Sequence, residues 1–385
     1  MITISQLISE KTVNFTGRQF VFDAITAFMS QNDRGFFLLT GDPGAGKTSV
    51  LAEHVRRTRC VSHFNIRSQG LNTASHFLRS LVGQMEELYG SSSMGNPSRL
   101  EADGESVAKV LAELRARTPA DQPLVIAIDA MDEVAIDSGQ IAGTNPLYMP
   151  SILGEGVYLI LTTRRLDSAI RFESPFKELD LEDYLAETAI DVQAYIRRML
   201  ALPDLANRVD ASNTTKDDFV VRLAEMSKGN FMYLDYVIKD ILRAQALDLD
   251  DFLVNLPLGL ENYYEQHWKL MTVSESRSAP VDAWIVYVLC EAQLALPAWV
   301  IASAIKPVTV ESPPFLVQQR LEKWIQFLHR DASFHPTRFN IYHESFRDFL
   351  HRSDIVSNAG LDLRGVNQVI ADLLWNHEFG SGANA

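Results

Sequence analysis

An apolar run at residues 36–40 leads directly into Gly41-Asp42-Pro43-Gly44-Ala45-Gly46-Lys47-Thr48, and a helical pattern at 49–57 follows. These eight residues fit G-x-x-x-x-G-K-[ST] without a departure, in the strand-then-helix setting that gives the pattern its meaning. Nothing else in the sequence restricts the fold as much. Glycines let successive backbone N–H groups turn inward around phosphate oxygens, and the start of the next helix adds partial positive charge. Lys47 is placed to reach the β- and γ-phosphates of a nucleoside triphosphate, and the Thr48 hydroxyl to complete the shell of a Mg²⁺ ion.

Such a loop belongs at the edge of a parallel sheet, and the residues up to about 180 supply one. Short apolar runs recur at 61–66, 124–128 and 157–163, with amphipathic stretches between them. That alternation predicts an α/β fold, a parallel sheet with crossover helices. The run Leu124-Val125-Ile126-Ala127-Ile128 ends in Asp129, which a parallel sheet presents at its ligand-binding edge, beside the Mg²⁺. Asp132 and Glu133 follow closely, and either could orient or activate the water that attacks the γ-phosphate. Their bland use is to cap a following helix. Leu159-Ile160-Leu161-Thr162-Thr163-Arg164-Arg165 ends another strand on the same edge, which makes Arg164 a candidate contact for the γ-phosphate or the water; its bland use is as a solvated strand end. Segments 90–104 and 137–150 read as surface loops, the second bordering the acidic cluster.

From about residue 182 the pattern turns helical, at 186–200 and 219–242, with a polar run at 211–218 between. An apolar block from about 280, a helix at 315–328, a hairpin-like pair around 333–338 and a short helix at 344–351 suggest a winged-helix module. The expected division is 1–181 for the sheet, 182–272 for a helical lid, 273–352 for the winged helix and 353–385 for a C-terminal helix and tail. The stretch 281–305 is interrupted by Asp282, Glu291, Gln293 and Pro297, so no uncharged run reaches the roughly 18 residues of a membrane span. Two packed core helices are expected there instead, and no membrane partner.

The first residues lack the layout of a signal peptide, and Cys60 and Cys290 have no metal-ligand spacing, so reduced, largely buried thiols in a cytoplasmic protein are expected. A formal charge of −14 over 385 residues makes nucleic acid an unfavoured partner, because phosphates are repelled. Thr215-Lys216-Asp217-Asp218 matches a guanine-reading T-K-x-D segment. It lies in a polar run that opens a helix, where Thr and Asp are natural caps, so an adenine nucleotide is expected.

Further segments carry a resemblance: Phe15-Thr16-Gly17-Arg18, Asp129-Ala130-Met131-Asp132-Glu133, Thr162-Thr163-Arg164, Leu256-Pro257-Leu258-Gly259-Leu260 with Tyr263-Tyr264, and Tyr342-His343-Glu344-Ser345-Phe346. With the loop at 41–48, over about 15–350, they resemble the nucleotide-switch core of the STAND class of P-loop ATPases, nearest its NACHT branch. The resemblance implies that the Phe15 segment lies along the adenine, that Ala130 stands where typical AAA+ ATPases have a glutamate, and that Thr162-Thr163-Arg164 is a sensor segment. It also implies that His343 reaches the β-phosphate of ADP and holds a closed form. Gly229-Asn230-Phe231 departs from the Gly-x-Pro that often packs on the adenine in such proteins.

The residues expected at the nucleotide are therefore Phe15, Gly17, Arg18, Gly41, Asp42, Pro43, Gly44, Ala45, Gly46, Lys47, Thr48, Ser49 and His343. Thr48 and Asp129 would hold Mg²⁺, and Lys47, Asp129, Asp132, Glu133 and Arg164 would act on the phosphates. Few residues precede Phe15 and no repeat array follows 352, so effector and sensor functions are expected outside this chain. The expected function is an ATP/ADP switch: ADP holds a closed form, ATP drives opening and homo-oligomerisation, and slow Mg²⁺-dependent hydrolysis resets it. The alternatives are a rapidly cycling P-loop ATPase or phosphotransferase, and a winged-helix DNA-binding regulator. The last is weakened by Glu322, Asp331, Glu344 and Asp348, which interleave with Arg320, Lys323, Arg330, Arg338, Arg347 and Arg352.

Overall fold

A computed structural model describes residues 3–90, 101–135, 144–165, 170–244, 247–272, 279–292, 294–306, 313–332 and 334–378. The chain forms two compact units, one of Met1–Leu234 with Gln245–Leu253 and one of Asp235–Ala244 with Val254–Ala385.

The first unit is built on Phe36-Phe37-Leu38-Leu39. Side chains alternate across a strand, so Phe36 and Leu38 enter one apolar cluster while Phe37 and Leu39 enter another. A strand buried on both faces needs such a continuous apolar run. In chain order the elements are α1 (Ile4–Thr12), α2 (Gln19–Gln31), β1 (Gly35–Thr40), α3 (Lys47–Thr58), β2 (Val61–Phe64), α4 (Ala74–Tyr89), α5 (Gly104–Arg117), β3 (Leu124–Asp129), β4 (Val157–Thr162) and β5 (Phe176–Asp180). All pairings in the sheet are parallel, in the order β2-β3-β4-β1-β5. Phe77 and Leu81 of α4 and Val110 and Leu114 of α5 cover one face, and Val21 and Ile25 of α2 with Val50 and Leu51 of α3 cover the other. Register aligns Leu39 with Thr162, Thr40 with Asp180 and Phe64 with Asp129. The strands' C-terminal ends therefore share one edge.

Helices α6 (Leu185–Met199), α7 (Pro203–Asp210), α8 (Lys216–Ser227), α9 (Phe231–Arg243) and α10 (Leu249–Val254) follow. The stretch expected to be helical over 219–242 is broken, because Lys228 and Gly229 both take positive φ, 50° and 79°. The expected caps of α8 are present, with the Thr215 hydroxyl accepting from the Asp218 N–H at 3.1 Å. Strand β5 was not foreseen. The strand expected over 61–66 stops at Phe64. Helix α5 starts at Gly104, while 91–100 of the expected loop lies outside the described residues. So does 137–143 of the second loop, whose remainder holds a 3-10 turn at Pro146–Tyr148 with Leu147 and Met149 buried in the sheet's cluster.

The second unit contains α11 (Gly259–Thr272), α12 (Ala279–Ala292), β6 (Leu296–Pro297), α13 (Ala298–Ile305), α14 (Pro314–Lys323), β7 (Leu328–Asp331), β8 (Arg338–Ile341), α15 (Glu344–Leu350), α16 (Ser353–Asn358) and α17 (Leu363–Glu378). The helix expected over 315–328 ends at Lys323, and Leu328 already belongs to β7. The three short strands form an antiparallel sheet in the order β6-β8-β7. The expected pair of helices across 281–305 is α12 and α13, and no helix among the described residues is long and apolar enough to cross a membrane. Aromatic rings fill this interior. Trp324, Tyr263, Tyr264, Tyr287, Phe327 and Phe339 are each fully buried, and the Phe327 and Phe346 rings stack at 4.5 Å.

Candidate nucleotide-binding site

The loop between β1 and α3 turns on glycines. Gly44 and Gly46 have φ of 85° and 95°, which L side chains rarely adopt. Its carbonyls from Gly41 to Ala45 are each answered by a donor. Lys47 Nζ donates to Gly41 O at 2.6 Å and Asp42 O at 3.1 Å. Asn230 Nδ2 donates to Pro43 O at 2.8 Å, the Phe231 N–H to Gly44 O at 3.0 Å, and Arg18 Nη2 to Ala45 O at 2.8 Å. The Ala45 N–H is used on Asp42 O at 3.1 Å and the Gly41 N–H on Arg164 O at 3.3 Å, and a glycine-rich turn at a helix start is the setting in which further N–H groups can receive an anion. Ser49 sits in the first turn of α3.

Opposite the loop, Asp129 ends β3 with its carboxylate buried. Thr162 on β4 donates its hydroxyl to Asp129 Oδ1 at 2.5 Å and accepts the Ala130 N–H at 2.9 Å. The Thr48 side chain also favours the ionised Asp129 carboxylate, so the two residues expected at Mg²⁺ lie near one another. Burial pushes the Asp129 carboxyl up from its usual range against these bonds and the Lys47 charge. Burial likewise pulls the Lys47 ammonium down, opposed by Asp132 and then Asp129. A doubly charged cation and a polyphosphate are the partners that would reverse both trends.

Ala130 adopts the left-handed conformation at φ 52°, and the chain closes into a 3-10 turn that buries Met131. Asp132 emerges towards β4: it accepts from the Thr163 hydroxyl at 3.3 Å and the Arg164 N–H at 3.2 Å, and pairs with Arg164 Nε at 3.0 Å. Glu133 goes the other way, its Oε2 accepting from the Arg67 N–H at 3.1 Å. Of the two, Asp132 is the one whose charge falls on Lys47. Among the described residues neither caps a following α-helix.

The Phe15 segment docks on α6. Gly17 has φ 76°, and a Cβ there would lie 2.0 Å from the Asp191 carboxylate. The Arg18 N–H donates to Asp191 Oδ2 at 2.8 Å, and its buried guanidinium donates to the Thr188 hydroxyl at 2.7 Å as well as to Ala45 O. It also lies 5.1 Å from the Phe231 ring centroid. Burial lowers the Arg18 pKa to about 10, with Asp191 opposing. Phe15 packs on Phe22 at 6.0 Å between centroids.

This is a P-loop NTPase fold. Residues 16–145 match the family model described as Nephrocystin 3, N-terminal. No curated protein matches the sequence. Among solved structures, the chain is similar to that of Drosophila ORC bound to DNA, at 14% identity over 94% of this chain and 100% of that chain, with a TM-score of 0.34. It is similar also to a Walker-type ATPase of Pyrococcus abyssi, at 11% identity over 87% and 96% of the two chains and a TM-score of 0.35. A third is Cdc6p from Pyrobaculum aerophilum, at 11% identity over 92% and 94% and a TM-score of 0.34.

Several residues of this site escaped the sequence. Thr188 and Asp191 sit on α6 and Asn230 just ahead of α9, and only the Gly229-Asn230-Phe231 departure drew attention to the last. Asn65, whose Nδ2 donates to Asp129 O at 2.6 Å, was legible only as a polar residue at a strand end. His343 belongs to the second unit. Its Nδ1 accepts the Ser345 N–H at 3.2 Å, which puts the ring proton on Nε2.

Proposed function

We propose that this chain is an Mg²⁺-dependent ATP/ADP switch of the STAND class, in its NACHT branch. The observation that carries the reading is the loop at 41–48 with each carbonyl from Gly41 to Ala45 engaged, together with a buried Asp129 that accepts from Thr162. In the proposed mechanism the loop N–H groups and Lys47 bind the phosphates, and Thr48 and Asp129 would hold Mg²⁺, which would supply neutralisation of phosphate charge. Asp132 orients the attacking water, and Arg164, released from Asp132 by nucleotide, meets the γ-phosphate. Glu133, bonded to the Arg67 backbone, is a weaker candidate for the water.

The remaining assignments follow the family resemblance. Residues 1–181 act as the nucleotide domain, 182–272 as a helical lid and 273–352 as a winged helix; 353–385 is the C-terminal helix and tail. The β7–β8 hairpin followed by α15 supports the winged-helix assignment. His343, with its proton on Nε2, has the donor that recognition of an ADP β-phosphate requires. ATP then favours opening and homo-oligomerisation in the cytoplasm, with effectors and sensors supplied by other domains or proteins.

The test is to denature the purified protein and identify what it releases. Adenine nucleotide at near-stoichiometric amounts is expected, with Lys47→Ala losing it; guanine nucleotide would overturn the adenine assignment. Steady-state hydrolysis is expected below the roughly 1 s⁻¹ at which kinases begin, and faster turnover would favour a cycling enzyme over a switch.

A further inference from the structure

The donors that hold the loop's carbonyls come from three places: Lys47 within the motif, Arg18 ahead of it, and the residues at the start of α9. Asn230 is the residue before α9. Its Nδ2 donates to Pro43 O at 2.8 Å, and its Oδ1 accepts the Tyr233 N–H at 3.0 Å. These two partners fix which end of the amide is which, since a carbonyl can only accept and an N–H only donate. The next residue adds the Phe231 N–H on Gly44 O. The fit is close: a Cβ on Gly44 would lie 2.3 Å from Asn230 Oδ1. Gly44 is thus glycine both for its positive φ and because the Asn230 amide occupies the space beside it. The left-handed Lys228 and Gly229 turn the chain so that the start of α9, rather than its side, meets the loop.

We infer that Asn230 is a positioning residue for phosphate binding, its side-chain amide holding the phosphate loop open in its anion-binding form while its carbonyl oxygen caps α9. A loop whose carbonyls are held has already given up the freedom it would otherwise lose on binding, so nucleotide binds more tightly. Because the same amide caps α9, the setting of that helix and the readiness of the loop are one variable. This rests on the proposal that the loop binds nucleotide.

The two functions of the amide separate by substitution. Asn230→Ser and Asn230→Asp keep an N-cap acceptor for α9, and both delete the donor to Pro43; only the second adds charge. The measurement is the affinity of the full chain for a fluorescent ADP analogue and, by competition, for ATP, with thermal unfolding as the control for folding. Both variants are expected to melt close to wild type and to bind about fivefold to tenfold more weakly, the scale of one neutral hydrogen bond. In Asn230→Ser, amide hydrogen exchange at 41–46 without nucleotide is expected to rise. Unchanged affinity in Asn230→Ser would overturn the inference and leave a simple helix cap, as would a loss confined to Asn230→Asp, which would then be charge repulsion. A wild-type chain that binds neither nucleotide overturns the parent reading as well, whereas wild-type binding matched by Asn230→Ser overturns the inference alone.

Discussion

In the first unit the residues of consequence are polar and stand at strand and helix ends, where Asp129 is met by Thr162 and Thr48, Pro43 by Asn230 and Ala45 by Arg18. In the second unit the interior is a run of aromatic rings, in which Trp324 lies 5.7 Å from Trp268 and 6.2 Å from Phe327, and Phe327 stacks on Phe346. The difference is one of tolerance. A hydrogen-bonded edge depends on the identity of donors and acceptors and can carry a destabilising charge if a ligand later neutralises it. An aromatic interior depends on volume, and its cost is set by the hole left behind.

The largest expected effect tests the second half of that contrast. Trp324→Ala removes a fully buried indole and is expected to cost about 3–5 kcal/mol, read as loss of the second unit's transition in denaturant. Nucleotide binding at the first unit should survive in the folded fraction; its disappearance in step with the second unit would break the comparison. Next in size is Asp129→Asn. Burial raises the folded pKa of Asp129, so its ionised form costs stability at neutral pH and the wild type gains stability as pH falls through that raised value. The amide should raise the melting temperature of the nucleotide-free first unit and abolish Mg²⁺-dependent hydrolysis. A lower melting temperature in this variant would mean that the carboxylate is structural.

The same contrast explains what the sequence disclosed. Strands β1, β3 and β4 are buried on both faces, so they had to be apolar throughout, and the motif at 41–48 fixed what β1 delivers. Strand β5 is an edge strand whose Phe176, Lys177 and Glu178 are exposed and only Leu179 is buried. With one face in solvent and one neighbour, its composition resembles a loop. The break between α8 and α9 was hidden because Lys228 is a non-glycine in a left-handed conformation, and the apolar period simply resumes beyond it. Asn230 and Asp191 were illegible for a different reason. A side chain that meets a backbone group nearly two hundred residues away, Asn230 on the Pro43 carbonyl and Asp191 on the Arg18 N–H, leaves no local pattern, and only the folded chain brings the two together.

The smaller effects concern protons, and here the units should respond with opposite signs. His54 and His63 of the first unit are buried, burial lowers each pKa to about 4, and their Nε2 atoms have no hydrogen-bond partner. Groups with a depressed folded pKa give stability that is present above the unfolded value of about 6.5 and is lost as pH falls towards the folded one. The first unit's melting temperature should therefore fall between pH 7 and pH 5, and His54→Gln should reduce that slope.

In the second unit His351 Nε2 pairs with Glu291 Oε1 at 2.6 Å. That bond raises the His351 pKa and lowers that of Glu291. The histidine's contribution is complete below about pH 6.5 and fades as pH rises through its raised value, while the glutamate's is complete above about pH 4.3 and fades as pH falls through its lowered one. Between those limits the pair is at full strength, so the second unit should hold or gain slightly over the range in which the first is losing. His351 is 44% exposed in its side chain, so solvent screening keeps the gain to about 1 kcal/mol or less. Melts of His351→Gln at pH 7 and pH 5 should show the second transition without that gain and the first transition unchanged. A second unit that loses stability in acid as steeply as the first would remove the contrast.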